Sequence, residues 1–295
     1  MDWTAWSLDP SLIYVLPAAL LYWLGGRRQY RTPQSDWWRP LSFAAGLLTI
    51  VLALDSPIDY YSDQLFWVHM GQHILLLTVA PPLILLGRPW PRMWRALPMA
   101  MRVSVGRGIA KGRWTAPLRA VARPLPAWIL FNVTIVAWHI PAAYNLTLTD
   151  QTVHNCEHAM FFFTGLLFWA HVVNPGPLRP RIGWVARVGY MVGAMIVGWV
   201  LAITLVVVQH PLYGHYASLA HRPGGISAMT DQQLAGGMMW VLGSVSFTIA
   251  AFLAFWRWLE PSRFGPEPVP VERDLPDPVL GPDRPHSVPP AVITT

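Results

Sequence analysis

The sequence predicts an all-α, polytopic membrane bundle, and three observations carry that reading. Charged residues are scarce, apolar runs recur at spanning length, and basic residues are confined to alternate connecting segments. Hydrophobic residues make up 54% of the chain and charged residues 12%, about half the charged share of an ordinary soluble domain. No strong apolar–polar alternation competes with the helical runs, and a lone strand in lipid could not satisfy its backbone.

A spanning helix needs about 17–25 mostly apolar residues. Seven runs qualify: 10–25, 39–54, 65–86, 125–144, 152–173, 185–208 and 232–256. The first two are short, and the count is six if the first does not span. Placing the N-terminus outside makes 26–39, 87–124, 174–187 and 257–295 the inner segments. These hold 20 of the 21 lysines and arginines, and only Arg222 lies outside, as expected where basic loops stay on the cytoplasmic side. The same asymmetry leaves the first run untested, because dropping it moves no other loop.

The net charge of +6 therefore reads as a topology signal and not as a nucleic-acid surface, since the basic residues lie between apolar runs. Asp2 and Asp9 precede the first run and Arg27-Arg28 follow it, the reverse of signal-peptide order. Cys156 is the single cysteine, so no intrachain disulfide or paired-cysteine site is available. The 87–124 segment, with Trp90 and Trp94, reads as a basic connector on anionic headgroups or as an interfacial amphipathic helix. The expected domains are a transmembrane unit over 1–258 and a disordered cytoplasmic tail over 259–295, where ten prolines fall within residues 261–295.

The histidines did not enter the topology and so test it. Eight of ten fall at or beyond the outer ends of the expected spans: His69, His73, His139, His154, His158, His210, His215 and His221. His69-Met70-Gly71-Gln72-His73 places two imidazoles one turn apart on one helix face. His154, Glu157 and His158 repeat the pattern at similar depth on the fifth span, and His139 lies level with them. Polar groups at membrane depth are costly and usually mark a functional site. Clustered neutral imidazoles suit a metal. Glu157 and Gln72 are candidates to fix ring tautomers beside the ligands.

Met70 lies close round the helix from His73, and a thioether favours Cu(I). Met160, Met229, Met238 and Met239 also lie near the outer face. Cys156 points nearly opposite to His154 and His158. Each residue also has a plainer reading: a lone intramembrane His is often a packing residue, Met is ordinary core filler, and Asp231 at the start of the last span can simply be a helix cap. Pro81-Pro82 and Gly236-Gly237 are expected to kink or closely pack the third and seventh helices.

Several stretches together resemble one family. Ser56-Pro57-Ile58-Asp59, His69-Met70-x-Gln72-His73 and Pro81-Pro82-Leu83 through Gly87-x-Pro89 form the first. Trp138-His139-x-Pro141-x-x-Tyr144 is the second. His154-x-x-Glu157-His158 with Phe162 and Phe168-Trp169 is the third, and Asp231-Gln232 with Gly236-Gly237-x-Met239-Trp240 the fourth. The ordered set, over about residues 40–258, resembles the multi-span CtaG-type cytochrome c oxidase assembly factors.

The resemblance implies a seven-helix protein of the bacterial plasma membrane that assembles a haem–copper oxidase without being an enzyme. Its partners would be the lipid bilayer, an oxidase subunit and a copper donor protein. Copper, as Cu(I), would be held by His69, His73, His154 and His158, with Met70 and His139 as further ligands. Gln72, Glu157 and Asp231 would orient ligands or guide the cation from the outer side.

Three rival readings stand beside this one. His154-x-x-Glu157-His158 also fits an inverted zincin string, in which Glu157 would activate a zinc-bound water in an intramembrane hydrolase. The His pairs could instead be axial haem ligands of a b-type cytochrome. The polytopic fold by itself also admits a transporter.

Overall fold

The computed structural model describes residues 4, 6, 11–27, 37–112, 115–173 and 182–264, and every regular element among these is helical. The helices are α1 (Ser11–Arg27), α2 (Trp38–Leu54), α3 (Pro57–Ser62), α4 (Phe66–Leu86), α5 (Pro89–Ala96), α6 (Met99–Lys111) and α7 (Thr115–Val121), followed by α8 (Pro124–Trp138), α9 (Pro141–Thr147), α10 (Gln151–Val173), α11 (Trp184–Val207), α12 (Gly214–Ser218), α13 (Ala228–Leu259) and α14 (Pro261–Phe264). Four of them, α4, α10, α11 and α13, are long and apolar enough to cross a membrane. The pair α7–α8 passes the same test as one segment bent by 78°, and α2 is apolar but shorter. From residue 265 onward, the expected tail lies outside the described residues.

The expected third, fifth, sixth and seventh runs coincide with α4, α10, α11 and α13 to within a few residues. The fourth does not reach 144. It stops at Trp138 because Pro141 has no N–H to donate and forces the residue before it out of the helical region. Ile140 is extended (φ −64°, ψ 127°), and α9 starts afresh with Pro141 in its first position. The 87–124 connector is itself helical in three pieces.

The surface is inverted relative to a water-soluble fold. Leu130, Val133, Val136, Val200, Val207, Val241 and Ile249 are among the large apolar side chains that face outward, while His69, Gln72, His73, Asn132, Thr134, Glu157, His158, Asp231 and Gln232 are buried. Only lipid makes that distribution favourable.

The helix α1 runs antiparallel to α2. The Ser11 hydroxyl donates to the Asp55 carboxylate just past the end of α2, and Tyr22 donates to the Gly87 carbonyl just past the end of α4 (2.8 Å). The Tyr22 ring stacks on Phe43 of α2 at 3.9 Å. Because α2 and α4 are antiparallel, these two ties lie at opposite ends of the pair, and α1 traverses the distance between them.

At the centre, α4 is not a uniform helix. Residues Leu75–Val79 widen into a π-helical turn, in which the Ala80 N–H reaches the Leu75 carbonyl. The two prolines that follow explain it: Pro81 cannot donate to Leu77, and its ring crowds that carbonyl. The orphaned Leu77 carbonyl instead accepts from the Trp169 indole of α10 (3.1 Å).

Gly165, one turn earlier on α10, permits this approach, because a Cβ there would lie 2.9 Å from the Leu77 oxygen. Gly46 does the same for α2, where a Cβ would meet Ile84 at 2.6 Å. Gly236 brings α13 onto the Ala202 carbonyl of α11, whereas Gly237 beside it faces open space. Phe131, Phe168, Trp169, Met191 and Phe247 belong to the largest buried apolar cluster among the described residues.

Replacing Trp169 with Phe keeps the packing but leaves the Leu77 carbonyl unsatisfied. It is expected to cost about 1–3 kcal/mol, read as a lower unfolding temperature in detergent. In a Pro81→Ala background the new N–H can reach Leu77, so the same Trp169→Phe change is expected to cost measurably less. Equal costs in both backgrounds would contradict this account of the turn.

Candidate metal centre

The bond between Trp169 and the π turn sets α4 and α10 face to face. On the N-terminal side of that bond, α4 directs His69 and His73 at α10, which answers with Glu157 and His158. One ligand atom from each of these four buried residues lies within 4.8 Å of the others. The His73 Nε2 is 3.7 Å from a Glu157 oxygen and the His69 Nε2 3.9 Å from the same oxygen. The imidazole of His154 joins at the edge, its ring 4.2 Å from His158 and 5.3 Å from His69.

The inward-facing polar atoms lack partners. The Nε2 atoms of His69, His154 and His158, both ring nitrogens of His73 and both Glu157 oxygens are buried without a hydrogen bond. The Thr147 hydroxyl is near enough to act on the Glu157 charge, but its proton goes to the Tyr144 carbonyl (2.8 Å). Buried polar groups are rarely left unpaired, so a cluster of them aimed at one point has the composition and placement of a cation shell.

The tautomer of His69 follows from its neighbours. Tyr216 donates its single proton to the Ser62 carbonyl (2.6 Å), so its oxygen can only accept from the His69 Nδ1–H (3.0 Å). The His69 Nε2 therefore carries a lone pair, directed into the cluster. Metal-binding histidines are commonly oriented by such an outer hydrogen bond. Tyr216 escaped the sequence reading because it lies on the short helix α12 between spans, where no periodicity connects it to α4. It belongs to an aromatic cap formed with Phe66, Tyr144 and Tyr213, with Phe66 and Tyr213 ring centroids 4.8 Å apart.

The other candidate residues fall in different places. Met70 and His139 meet each other beside the cluster, with 3.3 Å between sulfur and Nε2. Gln72 turns away from the imidazoles, and its amide donates to the Ala53 carbonyl and to Asp59, both at 2.8 Å, anchoring α4 to the corner between α2 and α3. Asp231 does not cap its own helix, a task performed by Ser227, which accepts from the Thr230 N–H (3.0 Å). Its carboxylate instead accepts from the Phe66 and Trp67 N–H groups, both at 3.0 Å, and so caps α4 from across the bundle. The adjacent Gln232 holds the chain after α11 by accepting from the Leu212 N–H (2.7 Å) and donating to the Leu205 carbonyl (3.1 Å). Cys156 is exposed, away from the site.

Fold and site together define a helical membrane protein that carries a buried histidine–carboxylate cluster. Residues 20–261 match the cytochrome c oxidase caa3 assembly factor family (Caa3_CtaG), and the chain belongs to that family. It is also similar to the uncharacterized protein Mb0105 of Mycobacterium bovis, 24% identical over 88% of this chain and 40% of that protein. The uncharacterized protein ML1998 of Mycobacterium leprae is 25% identical over 86% of this chain and 40% of its own length. The chain thus spans about two-fifths of the length of these relatives. No solved structure gives a significant match.

The cap on α4 has a measurable consequence. Losing a capping side chain costs about 0.5–2 kcal/mol, so Asp231→Ala is expected to speed hydrogen exchange at the Phe66 and Trp67 amides roughly 2- to 30-fold. Exchange at α10 amides should change far less. Unchanged exchange at Phe66 and Trp67 would show that the carboxylate is not what holds the start of the helix.

Proposed function

We propose that this protein is a non-enzymatic assembly factor that carries copper for a haem–copper cytochrome c oxidase in a bacterial plasma membrane. Its cargo site is His69, His73, Glu157 and His158, with His154 at the outer edge. The observation that carries the proposal is the convergence of unpartnered buried nitrogens and oxygens within 4.8 Å. Family membership supplies the oxidase. The donor set alone suits copper or zinc, and copper is the metal that an oxidase of this type needs.

The spacing suits a carrier. Ligands on one tetrahedral ion at about 2.0–2.1 Å lie about 3.4 Å apart, closer than the widest separation here, so the shell closes only when the ion is bound and reopens to release it. One carboxylate with neutral imidazoles balances a single positive charge, which favours Cu(I). The rings pack on one another at centroid distances of 4.2–6.0 Å, leaving room between them for an ion and not for a porphyrin.

We also read the chain as seven spans with the N-terminus and the histidine site on the outer side. The ties of α1 to opposite ends of the α2–α4 pair support α1 as a span, and the arginine distribution supports the orientation. The oxidase subunit and a copper donor protein are the partners this reading needs.

The hydrolase reading retains one observation in its favour, since Glu157 lies among the imidazoles. As a base acting on metal-bound water it would have to stand beside the metal and leave a position open.

In cells lacking the native gene copy, His73→Ala and Glu157→Gln variants are expected to lower copper-loaded oxidase at least ~10-fold, the scale of losing a ligand or its support, with the variant proteins present at normal levels. Added copper should restore part of the loss. Normal oxidase in both variants would reject the cluster as the cargo site. A Glu157→Gln variant that keeps its metal but loses cleavage of a membrane substrate would move the assignment to a hydrolase.

A further inference from the structure

Beside the histidine–carboxylate cluster lies a second, chemically different chamber. It is a partly open pocket of about 70 Å³ between α4, α8, α10, α11 and α13, and its wall includes Met70, Met195, Met239, His139 and His73. The remaining wall is largely apolar, with Phe131, Phe161 and Phe247 among its members, so the lining has no carboxylate. The space exceeds that needed for one water or one ion.

The geometry of one pair gives the chamber a purpose. The Ile135 carbonyl can only accept, so at 2.8 Å it fixes the proton of a neutral His139 on Nδ1. The His139 Nε2 is then a bare lone pair, yet its neighbour at 3.3 Å is the Met70 sulfur, which has lone pairs only. Two donors without a proton between them face each other in a buried place. Nitrogen and sulfur bound to one ion at about 2.0 and 2.3 Å, at a near-tetrahedral angle, lie about 3.3–3.5 Å apart. The observed separation falls within that range. Met239 packs against the buried group that contains Met70, and Met239 and Met195 both line the pocket beside Met70.

We propose that this chamber is a second metal station, selective for a soft monovalent ion, Cu(I), and held by Met70 and His139 with Met239 and Met195 as further sulfur donors. Thioethers prefer Cu(I) to zinc or Cu(II). The donors are all neutral, and the cost of burying an ion rises with the square of its charge, so a site without a carboxylate disfavours divalent ions further.

His73 links the two stations: its Nε2 faces Glu157 in the cluster, its ring forms part of the chamber wall, and neither of its ring nitrogens has a partner. The cluster accepts copper through nitrogen and oxygen, and the chamber retains only the reduced ion. The inference rests on the copper reading of the cluster for the identity of the cargo, but the chamber's sulfur chemistry can be read separately.

The test uses the full-length protein in detergent, titrated with Cu(I) under reducing conditions and with Ag(I) as a redox-inert probe, followed by X-ray absorption at the metal edge. Wild type is expected to show sulfur in the first shell near ~2.3 Å, the usual metal–sulfur distance. Met70→Leu, which conserves volume, is expected to lose that sulfur signal and part of the bound ion while keeping the nitrogen and oxygen shell. Glu157→Gln with His158→Ala should keep the sulfur signal and the single His139 nitrogen while losing the other nitrogen and oxygen neighbours, and zinc should show no sulfur in any variant. Should Met70→Leu fold poorly, His139→Gln and Met239→Leu serve with the same readout.

Absence of sulfur in wild type, or an unchanged spectrum in Met70→Leu, would overturn the second station. Loss of all metal in the Glu157→Gln/His158→Ala variant would reduce the two stations to one. A sulfur-bound ion in wild type whose amount and spectrum do not change in the Glu157→Gln/His158→Ala variant would leave the station standing and reject the cluster as the cargo site.

Discussion

Keeping a set of polar atoms inside a lipid-embedded bundle without giving them hydrogen bonds is the constraint on which this structure depends. Each unsatisfied buried group costs about 1–3 kcal/mol, and seven such atoms belong to the neighbouring residues His69, His73, His154, His158 and Glu157. Such an arrangement persists only where the surrounding framework is rigid enough to prevent the side chains from finding other partners. The framework here is built for that. The Tyr216–Ser62 chain of bonds fixes one imidazole, aromatic rings pack on one side of the cluster, and a large apolar cluster packs on another.

Helix α4 is the element through which these restraints act. Its start is capped by Asp231 from α13, its middle is tied by Gln72 to the corner between α2 and α3, and its π turn is bonded to α10 through Trp169. Three different neighbours thus fix its height and rotation. A widened turn also resets the helical phase, so the face that carries His69 and His73 is decoupled from the face that Pro81 and Pro82 present farther in. The same prolines that disturb the backbone therefore create the bond that positions α10, and with it Glu157 and His158.

Much of this was legible in the chain. The lengths of the apolar runs gave four long helices near their observed limits, and one-turn spacing put His69 with His73 and His154 with His158. Cys156 was placed away from them for the same reason. What could not be read was anything set by contact between distant segments. Periodicity assigns Asp231 to the start of its own helix and cannot show that its carboxylate reaches the amides of another. It groups Gln72 with His73 on one face, but not the carbonyl on α2 that claims its amide. It places Met70 and His139 at one depth, but only the packed structure shows them facing each other. Tyr216 had no signal at all, since it lies between spans. The early end of α8 was readable in principle from Pro141, but an apolar run that continues past it conceals the break.

The account depends most directly on whether the buried cluster binds copper, and one measurement tests it. Wild type and a His69→Ala/His158→Ala variant would be purified in detergent, loaded with copper under reducing conditions and freed of excess by gel filtration. Copper per chain would then be measured in each, with circular dichroism to verify that both are folded. Copper retained through nitrogen and oxygen donors in wild type and lost from the folded variant is the expected result. A folded variant that retains as much copper as wild type, with the same donors, would contradict the assignment of the cluster as the site that holds the metal.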